Sequence, residues 1–139
     1  YVVKPVDVTT LLEKVRRASE KIPGSILVVD DEELLRDLLQ RILTRDGVKV
    51  LLADSGKQAL GLMKTNKVAA VLSDIAMPEM DGFELLAYVK EYDTSIPVIL
   101  VSGRSEYNRE DVITAGADNF ITKPFNNVEI LDRIRPYLK

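Results

Sequence analysis

The stretch "ILVVDDEELL" (26–35) decides the fold. Its first four residues are apolar without alternation, which marks a strand buried on both faces in a parallel sheet covered by helices. Two acids follow at once. Then Leu34, Leu35, Leu38, Leu39 and Ile42 recur at helical spacing, predicting a helix over 32–45 whose leucine stripe is core. Asp46-Gly47 ends it, with glycine supplying the left-handed cap.

The same alternation repeats along the chain. "VKVLLA" (48–53), "AAVLS" (69–73), "PVILVS" (97–102) and "NFIT" (119–122) read as further strands. Helical-period stretches separate them at 56–66, 82–91 and roughly 105–115, the last ending at Gly116, and a final helix spans roughly 126–138. Five βα units in series imply right-handed crossovers and a doubly wound α/β sheet. Pro23-Gly24 is the clear punctuation mark, so residues 23–139 form the main domain.

Composition narrows the chemistry. A chain of 139 residues with formal charge −3 offers no basic stretch to neutralise phosphates, which argues against nucleic acid as a direct partner. No apolar run reaches membrane-spanning length, and no stretch of these residues reads as a signal peptide. Cysteine is absent, which is compatible with a cytoplasmic location. Histidine is absent too, so any metal needs oxygen ligands, pointing to Mg²⁺, Mn²⁺ or Ca²⁺.

The polar residues gather at the carboxyl ends of the strands, where open parallel sheets bind ligands. Asp30 and Asp31 follow the first strand, Asp74 the third, Ser102 ends the fourth and Lys123 follows the fifth. Three carboxylates in one pocket raise each other's pKa unless a cation joins them, and a divalent metal suits. A lysine opposite could neutralise a phosphoryl group. Each residue also has an ordinary use. "DDEE" commonly caps a helix, a strand-end Asp holds a loop, Ser102 caps and Lys123 is solvated. It is their convergence that favours a site.

Four motifs, "ILVVDDE", "LSDIAMPEMDGFELL", "PVILVSG" and "GADNFITKPF", together resemble the receiver (response regulator) domain of two-component phosphorelays, over residues 25–139. The resemblance implies a flavodoxin-like (βα)5 sheet of strand order 2-1-3-4-5, an order carried over from the family. It implies that Asp74 is the phosphoacceptor for a partner's phosphohistidine, on a histidine kinase or histidine phosphotransfer protein. Asp30, Asp31, Asp74 and the backbone carbonyl of Ala76 would bind Mg²⁺, with Mn²⁺ as a substitute. Lys123 and Ser102 would contact the phosphoryl oxygens. Ser102 and Phe120 would form the switch, with Ser and Phe where Thr and Tyr are commoner. Lys123-Pro124 matches a peptide bond usually cis in the family. The protein would be a signalling domain and no enzyme on external substrates, its parent chain a hybrid histidine kinase or a tandem array. Homodimerisation would use the last helices and strand. A metal-dependent phosphatase is the rival enzyme, but it needs a second acid two residues after the nucleophile, and Ala76 stands there. A phosphorylation-independent binding module would usually have lost an acid or the lysine.

The opening "YVVKPVDVTTLLEKVRRASEK" (1–21) aligns with the ending "FITKPFNNVEILDRIRPYLK" (120–139). Lys4-Pro5 falls on Lys123-Pro124, Leu12 on Leu131 and Arg16 on Arg135. Residues 1–22 therefore read as the last strand and helix of an upstream receiver, an additional strand-helix fragment on a piece of a longer protein. A chance amphipathic helix is the alternative.

Overall fold

The computed structural model describes residues 24–103 and 107–138. The expected upstream remnant at 1–22 lies outside the described residues. Among the described residues strands and α-helices alternate: β1 (Ser25–Val29), α1 (Glu33–Arg45), β2 (Val50–Ala53), α2 (Gly56–Thr65), β3 (Val68–Asp74), α3 (Gly82–Tyr92), β4 (Val98–Ser102), α4 (Arg109–Thr114), β5 (Asn119–Thr122) and α5 (Asn127–Ile134). All strand pairs are parallel, in the order β2-β1-β3-β4-β5. This is the expected flavodoxin-like sheet.

The uninterrupted apolar runs are explained by two cores, one on each face. Ile26 and Val28 point towards α1 and α5, joining Leu39, Ile42, Leu43, Ile130 and Ile134. Leu27 and Val29 point the other way, against Ala59 and Met63 of α2, Leu85 and Val89 of α3 and Val112 of α4. A strand covered on both sides has no solvated face on which to put polar residues.

Local chemistry sets the helix ends. Asp81 and Glu84 form a reciprocal capping box at the start of α3. Gly47 has φ of 85°, so it supplies the left-handed turn after α1 as its position predicts. Two expected bounds shrink. The strand predicted at 48–53 pairs only from Val50, and the helix predicted at 126–138 is α-helical only to Ile134 before a 3₁₀ turn over Arg135–Leu138. Pro136 lacks the N–H that an α-helix would need there.

One expectation is corrected. Leu34 is 84% and Leu38 42% exposed, so the leucine stripe of α1 is not all core. Leu39, Ile42 and Leu43 are buried, while Leu34 and Leu38 share a stripe with Arg41 and Arg45, both exposed. That stripe turns away from the sheet.

Candidate functional site

The strand order reverses at β1: β2 lies on one side of it and β3, β4 and β5 follow on the other. The gap beyond β1 and β3 is therefore the topological switch point, where such sheets bind ligands. Register fixes what stands there. Val29 pairs with Ser73, so the next residues, Asp30 and Asp74, emerge level with each other. Asp74 pairs with Val101 and Ser102 with Thr122, which sets Ser102 and Lys123 on the neighbouring strand ends.

The predicted residues meet. Carboxylate oxygens of Asp30, Asp31 and Asp74 lie within 4.8 Å of one another. Lys123 Nζ is 3.6 Å from Asp74 Oδ1 and 3.9 Å from Asp30 Oδ2. Asp31, Asp74, Ala76, Ser102 and Lys123 line one cavity of about 410 Å³, together with Glu32 and Gly103. Phe120 is buried in the core beside α4, 4% exposed. The Lys123-Pro124 bond is cis, as expected.

The acids do not serve as a side-chain cap. Glu32 is the N-cap of α1 and makes no side-chain cap bond. Instead, Asp30 Oδ1 accepts from the Glu32 N–H at 2.9 Å, while the Asp30 N–H donates to the Ala53 carbonyl at 3.1 Å. Asp74 is held similarly, its Oδ1 accepting from the Ile75 N–H at 3.0 Å. Gly82 closes the loop that follows. Its N–H donates to the Ile75 carbonyl at 2.8 Å, and a Cβ there would lie 2.6 Å from the Asp74 carbonyl oxygen. Gly82→Ala should therefore lose ~2 kcal/mol in urea denaturation, because backbone must move to make room.

Two residues escaped the sequence reading. Glu32 lines the cavity, although "DDEE" suggested only a cap. Arg36 Nη1 donates to the Asp30 carbonyl at 2.6 Å. No spacing of side chains marks it, because the bond runs to a backbone carbonyl.

Burial pushes the Asp30 pKa from 3.8 up to about 6; Asp74 adds to the rise, while the Glu32 N–H and Lys123 oppose it. Burial also raises Asp74, against the pull of Lys123 and the Ile75 N–H. A native state that holds protons more tightly than the unfolded chain loses stability as pH rises. For Asp30 the window runs from about 4 to about 6. Below it the carboxyl is neutral in both states; above it the folded protein carries a buried charge. Thermal unfolding in chelator should accordingly give a lower Tm at pH 7 than at pH 5, and millimolar Mg²⁺ should recover the difference at pH 7.

The donor set suits a hard divalent cation: clustered carboxylates, with Ala76 lining the same cavity and neither thiolate nor imidazole among the lining residues. It also suits a phosphoryl group, since Lys123 and Ser102 line the same cavity as Asp31 and Asp74.

Residues 26–135 match the family model described as the response regulator receiver domain. The chain belongs to the response regulator receiver family. The transcriptional regulatory protein YvrH of Bacillus subtilis is 38% identical to this receiver over 117 residues, which cover 84% of this chain and 49% of that protein. The chain thus spans about half the length of the curated relatives it matches. Among solved structures, the receiver domain of NtrX from Brucella abortus superposes with a TM-score of 0.78 at 32% identity, covering 82% of this chain and 98% of that one. The receiver domain of a signal transduction histidine kinase from Syntrophus aciditrophicus gives 0.73 at 32% identity, covering 83% and 89%. Receivers are signalling domains of two-component systems, they interact with histidine kinases, and the family implies a phosphoacceptor role and Mg²⁺ binding by acidic residues. Among the described residues no helix is long and apolar enough to cross a membrane.

Proposed function

We propose that this receiver takes a phosphoryl group from the phosphohistidine of a histidine kinase or histidine phosphotransfer protein onto Asp74. The observation that carries the reading is the Asp74 carboxylate, 8% exposed, set between two further acids and a lysine at the sheet's switch point. An Asp74 oxygen attacks phosphorus in line; the O–P bond forms as the P–N bond breaks, and the imidazole leaves with its electron pair and takes up a proton. Asp30, Asp31, Asp74 and the Ala76 carbonyl would hold Mg²⁺, or Mn²⁺ in its place. When bound, the cation offsets the charge of the carboxylates and of the incoming phosphoryl oxygens. Lys123 contacts one of those oxygens and Ser102 donates a hydrogen bond to another.

The product is a switch and no released substrate. Ser102 moves towards the new phosphoryl oxygen, the segment after it follows, and Phe120 beside α4 repacks. The face made by α4, β5 and α5 then changes partners, and homodimerisation through it is part of this reading. Ala76 leaves the position of a phosphatase's second acid without a carboxylate, which weighs against that enzyme. A cytoplasmic location fits. The segment 1–22 as an upstream receiver's tail, and a parent chain that is a hybrid kinase or tandem array, belong to the same proposal. Direct contact with nucleic acid by this domain does not.

Leu34 and Leu38 add a docking element. They border a groove on α1 that includes Glu32, and Glu32 also lines the site cavity. A donor protein that presents its phosphohistidine to Asp74 covers these leucines. The test is transfer from a ³²P-labelled histidine-phosphorylated donor that labels the wild type. Leu34→Ala should slow that transfer about tenfold or more, in keeping with a central interface contact. Labelling by acetyl phosphate should stay unchanged. Equal slowing with both donors would place the defect in the site and remove the docking role.

A further inference from the structure

We propose that Arg36 is a positioning residue for the cation site, an inference that rests on the Mg²⁺-binding reading above. Among the described residues the Asp31 carboxylate is exposed, accepts no hydrogen bond and forms no ion pair. Its direction is therefore set by the backbone that carries it. That backbone is pinned at three points. The Asp30 N–H is held by Ala53, the Asp30 carboxylate holds the Glu32 N–H, and the Asp30 carbonyl is held by Arg36.

The third point is the one that fixes the Asp30–Asp31 peptide plane. The helical ladder of α1 begins with the Arg36 N–H donating to Glu32, so the Asp30 carbonyl lies outside the ladder and needs another donor. Arg36 reaches back over the first turn and provides it at 2.6 Å, a short charge-assisted bond. Without it the peptide can rotate and carry Asp31 out of line with Asp30 and Asp74. Mg²⁺ demands near-ideal octahedral geometry, so a small rotation matters.

Charge and position make opposite demands here. By Coulomb's law alone, removing a guanidinium beside a cation site tightens cation binding. Loss of positioning weakens it. The sign of the change therefore separates the two.

Mg²⁺ binding is measured by isothermal titration calorimetry on the whole chain, with far-UV circular dichroism confirming that each variant folds. Arg36→Met should weaken Mg²⁺ on the order of tenfold, the usual cost of losing a group that orients a ligand. Arg41→Met removes the same charge from an exposed site on the same helix and should bind within twofold of wild type. Arg36→Lys keeps the charge but not the planar fork, so it should also bind more weakly than wild type. If Arg36→Met binds Mg²⁺ as tightly as wild type or tighter, Arg36 has no positioning role. A wild type that binds no Mg²⁺ overturns this inference together with the reading beneath it.

Discussion

Asp30→Asn is expected to stabilise the metal-free protein at pH 7 and to weaken its Mg²⁺ binding. Asp30 is 2% exposed and its pKa is pushed up to about 6, so at neutral pH the fold carries a buried charge that the unfolded chain would solvate. The shift from 3.8 corresponds to roughly 2–3 kcal/mol of native-state cost. Removing the charge while keeping the shape should therefore raise Tm by roughly 5 °C or more in chelator. The gain should shrink as pH falls through about 6 and be gone near pH 4, where the wild-type carboxyl is already neutral. Calorimetric unfolding at both pH values checks the sign. A variant less stable than wild type at pH 7 would mean that Asp30 supports the fold. The same substitution removes one of the proposed carboxylate ligands, so stability and cation binding should move in opposite directions, as they do where a site is held under strain for function.

Lys123→Met should leave the fold intact and cut the rate of Asp74 phosphorylation by about 10²-fold, the scale of losing one preorganised donor to developing charge. Lys123 Nζ lies 3.6 Å from Asp74, and its charge is the largest influence holding the Asp74 pKa down. The variant should lose the proposed phosphoryl contact and make ionised Asp74 harder to form. Mg²⁺ affinity near pH 8 should hold or rise, because a competing cation has gone. A time course of labelling by acetyl phosphate, run beside a Mg²⁺ titration, separates the two effects. Loss of Mg²⁺ binding along with loss of labelling would make Lys123 a structural strut of the acid cluster.

The fold and the cluster were legible in the residues for one physical reason. Strands covered on both faces show unbroken apolar runs, and the first polar residue after each run stands at the rim. Asp30, Asp74, Ser102 and Lys123 could all be read that way. The order of the strands could not, since apolar runs carry no record of which neighbour they pair with; it came with the family motifs. The exposed Leu34 and Leu38 were misread because helical spacing shows a stripe but not which way it faces. Following that stripe to Arg41 and Arg45 would have shown that it points to solvent. The final helix was drawn too long because its apolar period runs past Ile134, while Pro136 breaks the ladder regardless of period. Arg36 was missed because it acts through a backbone carbonyl, and no pattern of side chains records such a bond.

The central claim is that Asp74 accepts a phosphoryl group. Intact mass after incubation with acetyl phosphate and Mg²⁺, for wild type and Asp74→Asn in parallel, tests it most directly. The expected result is one added phosphoryl group on the wild type, none on the variant, and none on either in chelator. An equal adduct on both proteins would put the acceptor elsewhere. No adduct on a folded, Mg²⁺-bound wild type that also fails to bind beryllofluoride would contradict the claim.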